Sequence, residues 1–402
     1  MHKNKTSNTN KIGLISAVIV GVNSMIGAGI AAIPTVLAAQ AGPAGILSCI
    51  FSMMFVLCIG LSLGRCAEIY PGQGWNYLYP SKWGGHKLGL FSASCYLSGI
   101  ILGLGFLAHQ VGVWCHAFIP FLSPRPLGLI IMFILMFLVL AGTQTSAATQ
   151  KLIVAFVIIP LLITSIFCWY NFDYNLMFPF FPYGIDSVFK AAPSVLFALL
   201  GFESIISLYG IIKNPRKNMP LAFGFSILTV GFTYILFFYG VLFAIPSKFF
   251  IGGLHETLSH VLARFFENSK ILPQMVLTGA VFGIIGTLHA MIWSISALFT
   301  TLLKKTKSKL IHHAIEKKIW TFKTSVFVTT GLILLASLLI RLESLINLTS
   351  MLVAISYILS ISSLLFVKKE WRSGHNIITL LGLVGGGLMI YFSLHKIIFT
   401  WC

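Results

Sequence analysis

The sequence predicts an all-α polytopic membrane protein with about 11 transmembrane helices, arranged as an inverted five-plus-five helix repeat in which helices 1 and 6 are discontinuous. Three observations carry that expectation. Hydrophobic residues make up 57% of the 402-residue chain and charged residues only 9%, more apolar surface than a soluble core hides. Apolar runs long enough for a bilayer core of about 30 Å lie near 12–41, 44–66, 88–118, 127–142, 149–170, 187–212, 221–245, 272–303, 324–341, 344–367 and 376–396. The first and sixth of these runs are interrupted in mid-membrane by glycine and polar residues. Five spans from one break to the next imply two five-helix halves, and an odd number per half makes the second insert upside down relative to the first. The expected organisation is one transmembrane domain over 1–402, with a first repeat at 12–170, a second at 187–367 and an extra helix at 376–396.

The chain opens on "MHKNKTSNTNK", a short basic tail with no short apolar region and small-residue cleavage site behind it, so no removed signal peptide is expected. The formal charge of +18 would suggest nucleic acid in a soluble protein, but its placement decides otherwise. With the tail cytoplasmic, twenty Lys and Arg fall on the inner side and seven on the outer. That positive-inside bias puts the N-terminus in the cytoplasm and, with eleven spans, the C-terminus outside. The expected location is the plasma membrane, in a bacterium the inner membrane. The basic run "KKTKSKLIHHAIEKK" then reads as a topology signal, and no nucleic-acid partner is expected. The seven cysteines show no C-x-x-C spacing and, Cys402 apart, read as small core residues. No metal, disulfide framework or cofactor is implied.

Span one contains "GVNSMIGAGIAAIP", Gly21 to Pro34. An exposed backbone amide in hydrocarbon costs several kcal/mol, so irregular chain at that depth survives only where it lines a cavity inside the protein. Span six, "FALLGFESIISLYGIIKNPRKNMP", puts Gly201 and Glu203 at the same depth. A carboxylate there is expected to be protonated, paired or hydrogen-bonded to the broken helix. His109, His116 and His289 form no metal-binding spacing and read as packed or interfacial.

Several motifs then fall in order along the chain. Asn23 to Gly29 with Pro34 fits an "IG-S/A-G" first-helix motif. "PGQGWNYLYPSKWG", Pro71 to Gly84, fits a "P-x-x-GG-x-Y-x-Y" loop with Trp75 in place of the second glycine. "GTQTSAATQKLIVAFVIIPLL", Gly142 to Leu162, matches the spacing of a fifth helix with Pro160. "GFES" followed by Lys213 to Pro220 matches "G-x-E-S … KNP-x-x-N-x-P". By these the chain resembles the amino acid, polyamine and organocation (APC) transporter superfamily, and most of all its basic amino acid and polyamine antiporter branch, the arginine/agmatine exchangers.

Physical chemistry and the resemblance point to the same residues. Unwinding at the first break frees amides at the positive end of the following half-helix, which suits a carboxylate. Ser24, Met25, Ile26, Gly27, Ala28 and Gly29 are the candidates to hold the acid end of an amino acid; the alternative is a small-residue packing face. At the second break, carbonyls near Ala198, Leu199 and Leu200 suit an ammonium, over which Phe197 and Phe202 close through cation–π contact, unless both are lipid-facing or core rings. The resemblance places an aromatic gate at Phe197 and implies gating or proton coupling for Glu203, against a purely structural hydrogen-bonding role. Trp293, four residues from His289 on one helix face, is expected either to line the site or to pack.

The departures from the resemblance matter too. Val157 stands where some sodium-independent relatives carry a lysine, and Ala297 where many carry an arginine. Leu102, Leu104 and Phe106 stand where the antiporters put polar side chains, which speaks against arginine or agmatine. The family usually has twelve spans against the eleven read here, a difference that bears on an oligomer interface more than on the two repeats. The function implied is secondary active transport of amino acids or related amines, by exchange or proton coupling with alternating access. Its partners are the small substrate, the lipid bilayer and a second copy in a homodimer. The alternative is a transport-deficient relative serving as a membrane sensor or assembly partner. An enzyme is not expected, since no span carries a nucleophile, base and orienting group at usable spacing.

Overall fold

The computed structural model describes residues 12–27, 29–72, 74–140, 147–208, 212–250, 257–266, 271–306, 317, 320–339, 341–367 and 376–401. In chain order the helices are α1 Leu14–Met25, α2 Gly29–Ala41, α3 Gly45–Ile69, α4 Trp75–His116, α5 Pro124–Leu140, α6 Ala147–Tyr170 and α7 Asp186–Leu199. They continue with α8 Pro215–Ala244, α9 Leu258–Phe265, α10 Ile271–Lys305, α11 Phe322–Leu339, α12 Leu342–Ile361 and α13 Asn376–Trp401. Among the described residues the only strand-like pairing is a parallel bridge between Ile12 and Ile212. Among the described residues six helical stretches are long and apolar enough to cross a membrane, and shorter apolar helices lie at Pro124–Leu140, Phe156–Tyr170 and Phe322–Leu338. The protein is an all-α polytopic membrane protein.

Each apolar run has a helical counterpart, with two refinements. α4 starts well ahead of the expected residue 88, because the loop motif from Trp75 to Gly84 is itself helical and runs into the membrane segment across a kink at Gly85 (φ 73°, ψ −175°). α9, a short amphipathic helix, fills the connection between α8 and α10; Thr257 caps it by accepting from the His260 amide. Ala28, Lys309 and Cys402 lie outside the described residues.

α5, α6 and α13 turn Phe133, Phe137, Ile163, Ile166, Leu380 and Leu381 outward, as a hydrocarbon surround requires. The interior is held by close backbone approach and short hydrogen bonds in place of water. Ser48 and Ser52 of α3 donate to the carbonyls of Val188 (2.6 Å) and Ala192 (3.1 Å) in α7, and Ser350 of α12 donates to that of Pro193 (2.8 Å). These hydroxyls brace α7 around Pro193, which supplies no amide to its own ladder. α4 packs on α5, α10, α11 and α12, so one of its faces is committed to the centre of the molecule, where the two broken helices meet.

Candidate functional site

The first break is a short interruption of one span. α1 ends where Ile26 turns extended (φ −77°, ψ 90°) with its amide donating to Val22 O (2.8 Å). The Gly27 amide donates to Met25 O (3.0 Å), and α2 starts at Gly29. At the second break α7 ends at Leu199, Leu200 is extended (φ −63°, ψ 150°), and Gly201 adopts φ 110° before a 3-10 segment, Phe202–Leu208. Only glycine adopts that φ without strain.

The two breaks cross each other. A Cβ on Gly29 would lie 2.5 Å from Ala198 Cβ and 2.7 Å from its Cα, and a Cβ on Gly201 would overlap the Ser24 carbonyl. The glycines are thus what allows the two backbones to touch. Ser204 Oγ donates to Ser24 Oγ (2.8 Å), which itself donates to Val20 O (2.8 Å). From α8, the buried Tyr234 hydroxyl lies 3.1 Å from Met25 O and 3.0 Å from Ala198 O, sharing one proton between a carbonyl of each break.

Glu203 is 3% exposed and fully engaged. Its Oε1 accepts from Tyr96 OH of α4 (2.7 Å); its Oε2 accepts from Tyr357 OH of α12 (3.0 Å) and from the Gly201 amide (3.0 Å). Hydrogen bonding to the broken helix, one of the arrangements the sequence allowed, is present. Trp75, the residue in place of a motif glycine, stacks on Tyr357 (centroids 5.8 Å apart, 25°) and meets Tyr96 edge-on (5.2 Å, 73°). It therefore backs both tyrosines that hold the carboxylate.

A cavity of about 60 Å³ lies at the crossing. Ser24, Met25, Gly27 and Gly29 line it from the first break, and Phe197, Ala198, Leu200 and Gly201 from the second. Ile100, Gly103, Leu104 and Leu107 of α4, Thr287 and Met291 of α10, and Thr349 of α12 complete the wall. None of these lining residues is ionisable. A second cavity, about 260 Å³, is lined by Trp75, Tyr96, Glu203, Ser204, Trp293 and Ala297 and reaches Gly72, Gly74 and Thr301. Gly201 and Met291 line both, so the two spaces share a wall.

Several expected site residues lie elsewhere. Ile26, Leu199 and Phe202 are buried but absent from the lining. Phe202, 0% exposed, packs on Tyr357 (5.3 Å) and Phe223 (6.2 Å), because the turn at Gly201 sends it behind Glu203 rather than over the cavity. Trp293 is half-exposed, contacts Phe322 (6.4 Å) and lines the second cavity alone. The face of α10 toward the first cavity is Thr287 and Met291, two residues and about 200° of helix away from His289 and Trp293. On α4 the sequence points to Leu102, Leu104 and Phe106, yet only Leu104 reaches the cavity. Phe106, 1% exposed, instead meets Phe197 edge-on (5.5 Å, 89°). The lining set, residues 100, 103, 104 and 107, has the 3-and-4 spacing of one helix face. Val157 is buried behind the first break, its Cγ2 3.6 Å from where a Gly283 Cβ would stand. Tyr96, Tyr234 and Tyr357 carry no local motif that marks them.

Fold and site together define a class: a helical polytopic membrane protein with a small, uncharged cavity where two discontinuous helices cross. The family model described as amino acid permease matches residues 12–400, and the chain belongs to that family, within the APC superfamily. It is similar to a branched-chain amino acid permease of Bacillus subtilis, 24% identical over 306 residues that cover 70% of this chain and 64% of the relative. It is also similar to an aspartate-proton symporter of Bacillus subtilis, 26% identical, with 62% of this chain and 49% of the relative covered. A mitochondrial cationic amino acid transporter of Arabidopsis thaliana is 24% identical over 54% of this chain and 40% of its own length. The chain thus spans less than two thirds of each of these relatives.

Proposed function

We propose that this protein is a secondary active transporter of amino acids or related amines, working by alternating access in the plasma membrane with a cytoplasmic N-terminus. The observation that carries the reading is that the first cavity meets its ligand with backbone and helix ends rather than with charged side chains. The first turn of a helix has amides with no intrahelical acceptor, and α2 starts at the cavity, which suits a carboxylate. α1 and α7 end there with their negative poles, which suit an ammonium beneath the Phe197 ring. The amide of Gly201 is already occupied by Glu203, so a ligand's carboxylate belongs at α2.

Glu203 is the gate in this reading. It joins the second break to α4 and α12, beside the wall shared with the larger cavity, which lies on the cytoplasmic side if the N-terminus is cytoplasmic. Separating those partners would open a path from site to vestibule. The crossing of the breaks supports two inverted repeats over 12–170 and 187–367. Exchange is what the antiporter-like motifs favour, and the relative named as a proton symporter supports proton coupling. Counterflow into proteoliposomes, with labelled amino acids and amines tested one by one, is expected to show trans-stimulated uptake of at least one. Absence of counterflow for every amino acid and amine would overturn the proposal.

A further inference from the structure

We propose that the side-chain end of the first cavity selects a neutral, short aliphatic amino acid and rejects cationic and acidic ones. This rests on the reading of the cavity as an amino acid site and adds the identity of its occupant. Away from the helix breaks, the wall is Ile100, Leu104 and Leu107 from one face of α4, with Met291 from α10. The three hydroxyls in the lining have committed their protons: Ser24 Oγ donates to Val20 O (2.8 Å), Thr349 Oγ1 to Leu345 O (2.7 Å) and Thr287 Oγ1 to Gly283 O (2.9 Å). A ligand's side-chain carboxylate would find no donor at this end, and a guanidinium or second ammonium no counter-charge. Glu203 cannot serve, since both its oxygens are held by Tyr96, Tyr357 and Gly201 and it lines the other cavity. A charge buried without a partner is strongly disfavoured, so neutrality is selected by the absence, among the described lining residues, of anything to pair with.

Size is limited as well. The whole cavity, about 60 Å³, is well under the roughly 150 Å³ that takes up benzene, and the ligand's carboxylate and ammonium share it with the side chain. The floor is set at Gly103, where an added Cβ would lie 3.0 Å from Thr349 Cγ2 and 3.1 Å from Phe197 Cε2. The geometry fits a side chain from alanine to valine and leaves no room for an indole or for a guanidinium on three methylenes.

The test uses the full chain, purified and reconstituted, with two readouts: equilibrium binding of labelled valine, and counterflow. Alanine should displace valine, while arginine, aspartate and agmatine should bind at least about 100-fold more weakly. Arginine or aspartate within threefold of valine would overturn the inference and leave transport standing. Valine binding with this selectivity but without counterflow would uphold the inference and sink the transport reading. No binding by any of them would overturn both. Gly103→Ala, which raises the floor, should lower the valine-to-alanine affinity ratio about tenfold, the effect of roughly one methylene in a closed pocket. If that variant does not elute as wild type does, Leu104→Ala takes its place and should raise the phenylalanine-to-valine ratio about tenfold. An unchanged ratio in a folded variant would overturn the assignment.

Discussion

At the second helix break the chain satisfies its own exposed amide: Gly201 N–H is bonded to Glu203 Oε2, and the same carboxylate holds Tyr96 and Tyr357. At the first break the corresponding positions are Gly27, Ala28 and Gly29, which have no polar side chain with which to do the same. The two interruptions share depth and chemistry and touch through Gly29 against Ala198 and Gly201 against Ser24. They differ in what occupies the positive end of the helix that follows. One is filled from within and bonded to two neighbouring helices, as the proposed gate requires; the other, in the same proposal, is left to a ligand. A pair of broken helices is therefore not two equivalent half-sites, and substitutions at the two should fail in different ways.

The largest effect is expected at the point where the breaks touch. Gly201→Ala forces an L side chain to φ 110° and drives its Cβ into the Ser24 carbonyl; backbone strain of this kind costs roughly 1–3 kcal/mol before the overlap is counted. Yield of monodisperse protein and counterflow should both collapse. Wild-type behaviour of this variant would mean that the two backbones do not cross here, and the comparison would fall with it.

Gly27→Leu should separate binding from folding. Its Cβ would meet Thr287 Oγ1, with Thr287 Cβ at 3.4 Å, on the cavity side of the first break. Uptake should be abolished while protein level stays near normal, because the leucine blocks approach to the start of α2 rather than emptying a core. Uptake at wild-type affinity would show that the first break is a packing face.

Glu203→Gln sharpens the contrast from the other side. Glutamine keeps one oxygen to accept from the Gly201 amide and turns its amide toward a tyrosine hydroxyl, which can accept. The fold should survive with a loss of about 1–2 kcal/mol, but no proton can be exchanged at this position. In the proton-coupled reading of Glu203, uptake loses its pH dependence in the variant. Superimposable pH profiles for wild type and Glu203→Gln would leave Glu203 only the role of tying helices together.

Tyr234→Phe, the mildest change, removes the proton shared by Met25 O and Ala198 O. Single hydrogen bonds inside membrane proteins average about 0.6 kcal/mol, so a small loss of stability in a denaturation series is expected, with selectivity unchanged. A change in substrate preference would show that Tyr234 shapes the site as well as holding the crossing.

Both interruptions, the buried carboxylate and the approximate extent of each span were legible in the sequence. An interrupted apolar run has few solutions in hydrocarbon: the freed amides and carbonyls of Gly27, Gly29, Ala198 and Gly201 must face each other, a ligand or a side chain such as Glu203. What the tertiary structure alone decided was which residues complete the site. Tyr96 and Tyr357 are 107 and 154 residues from the carboxylate they hold, and no local pattern announces them. The phase of each helix was equally hidden. In water the polar face of a helix marks the outside, but in a bilayer the lipid-facing and core-facing sides are both apolar. Leu102 and Leu104, or Met291 and Trp293, are therefore indistinguishable until packing turns Leu104 and Met291 inward.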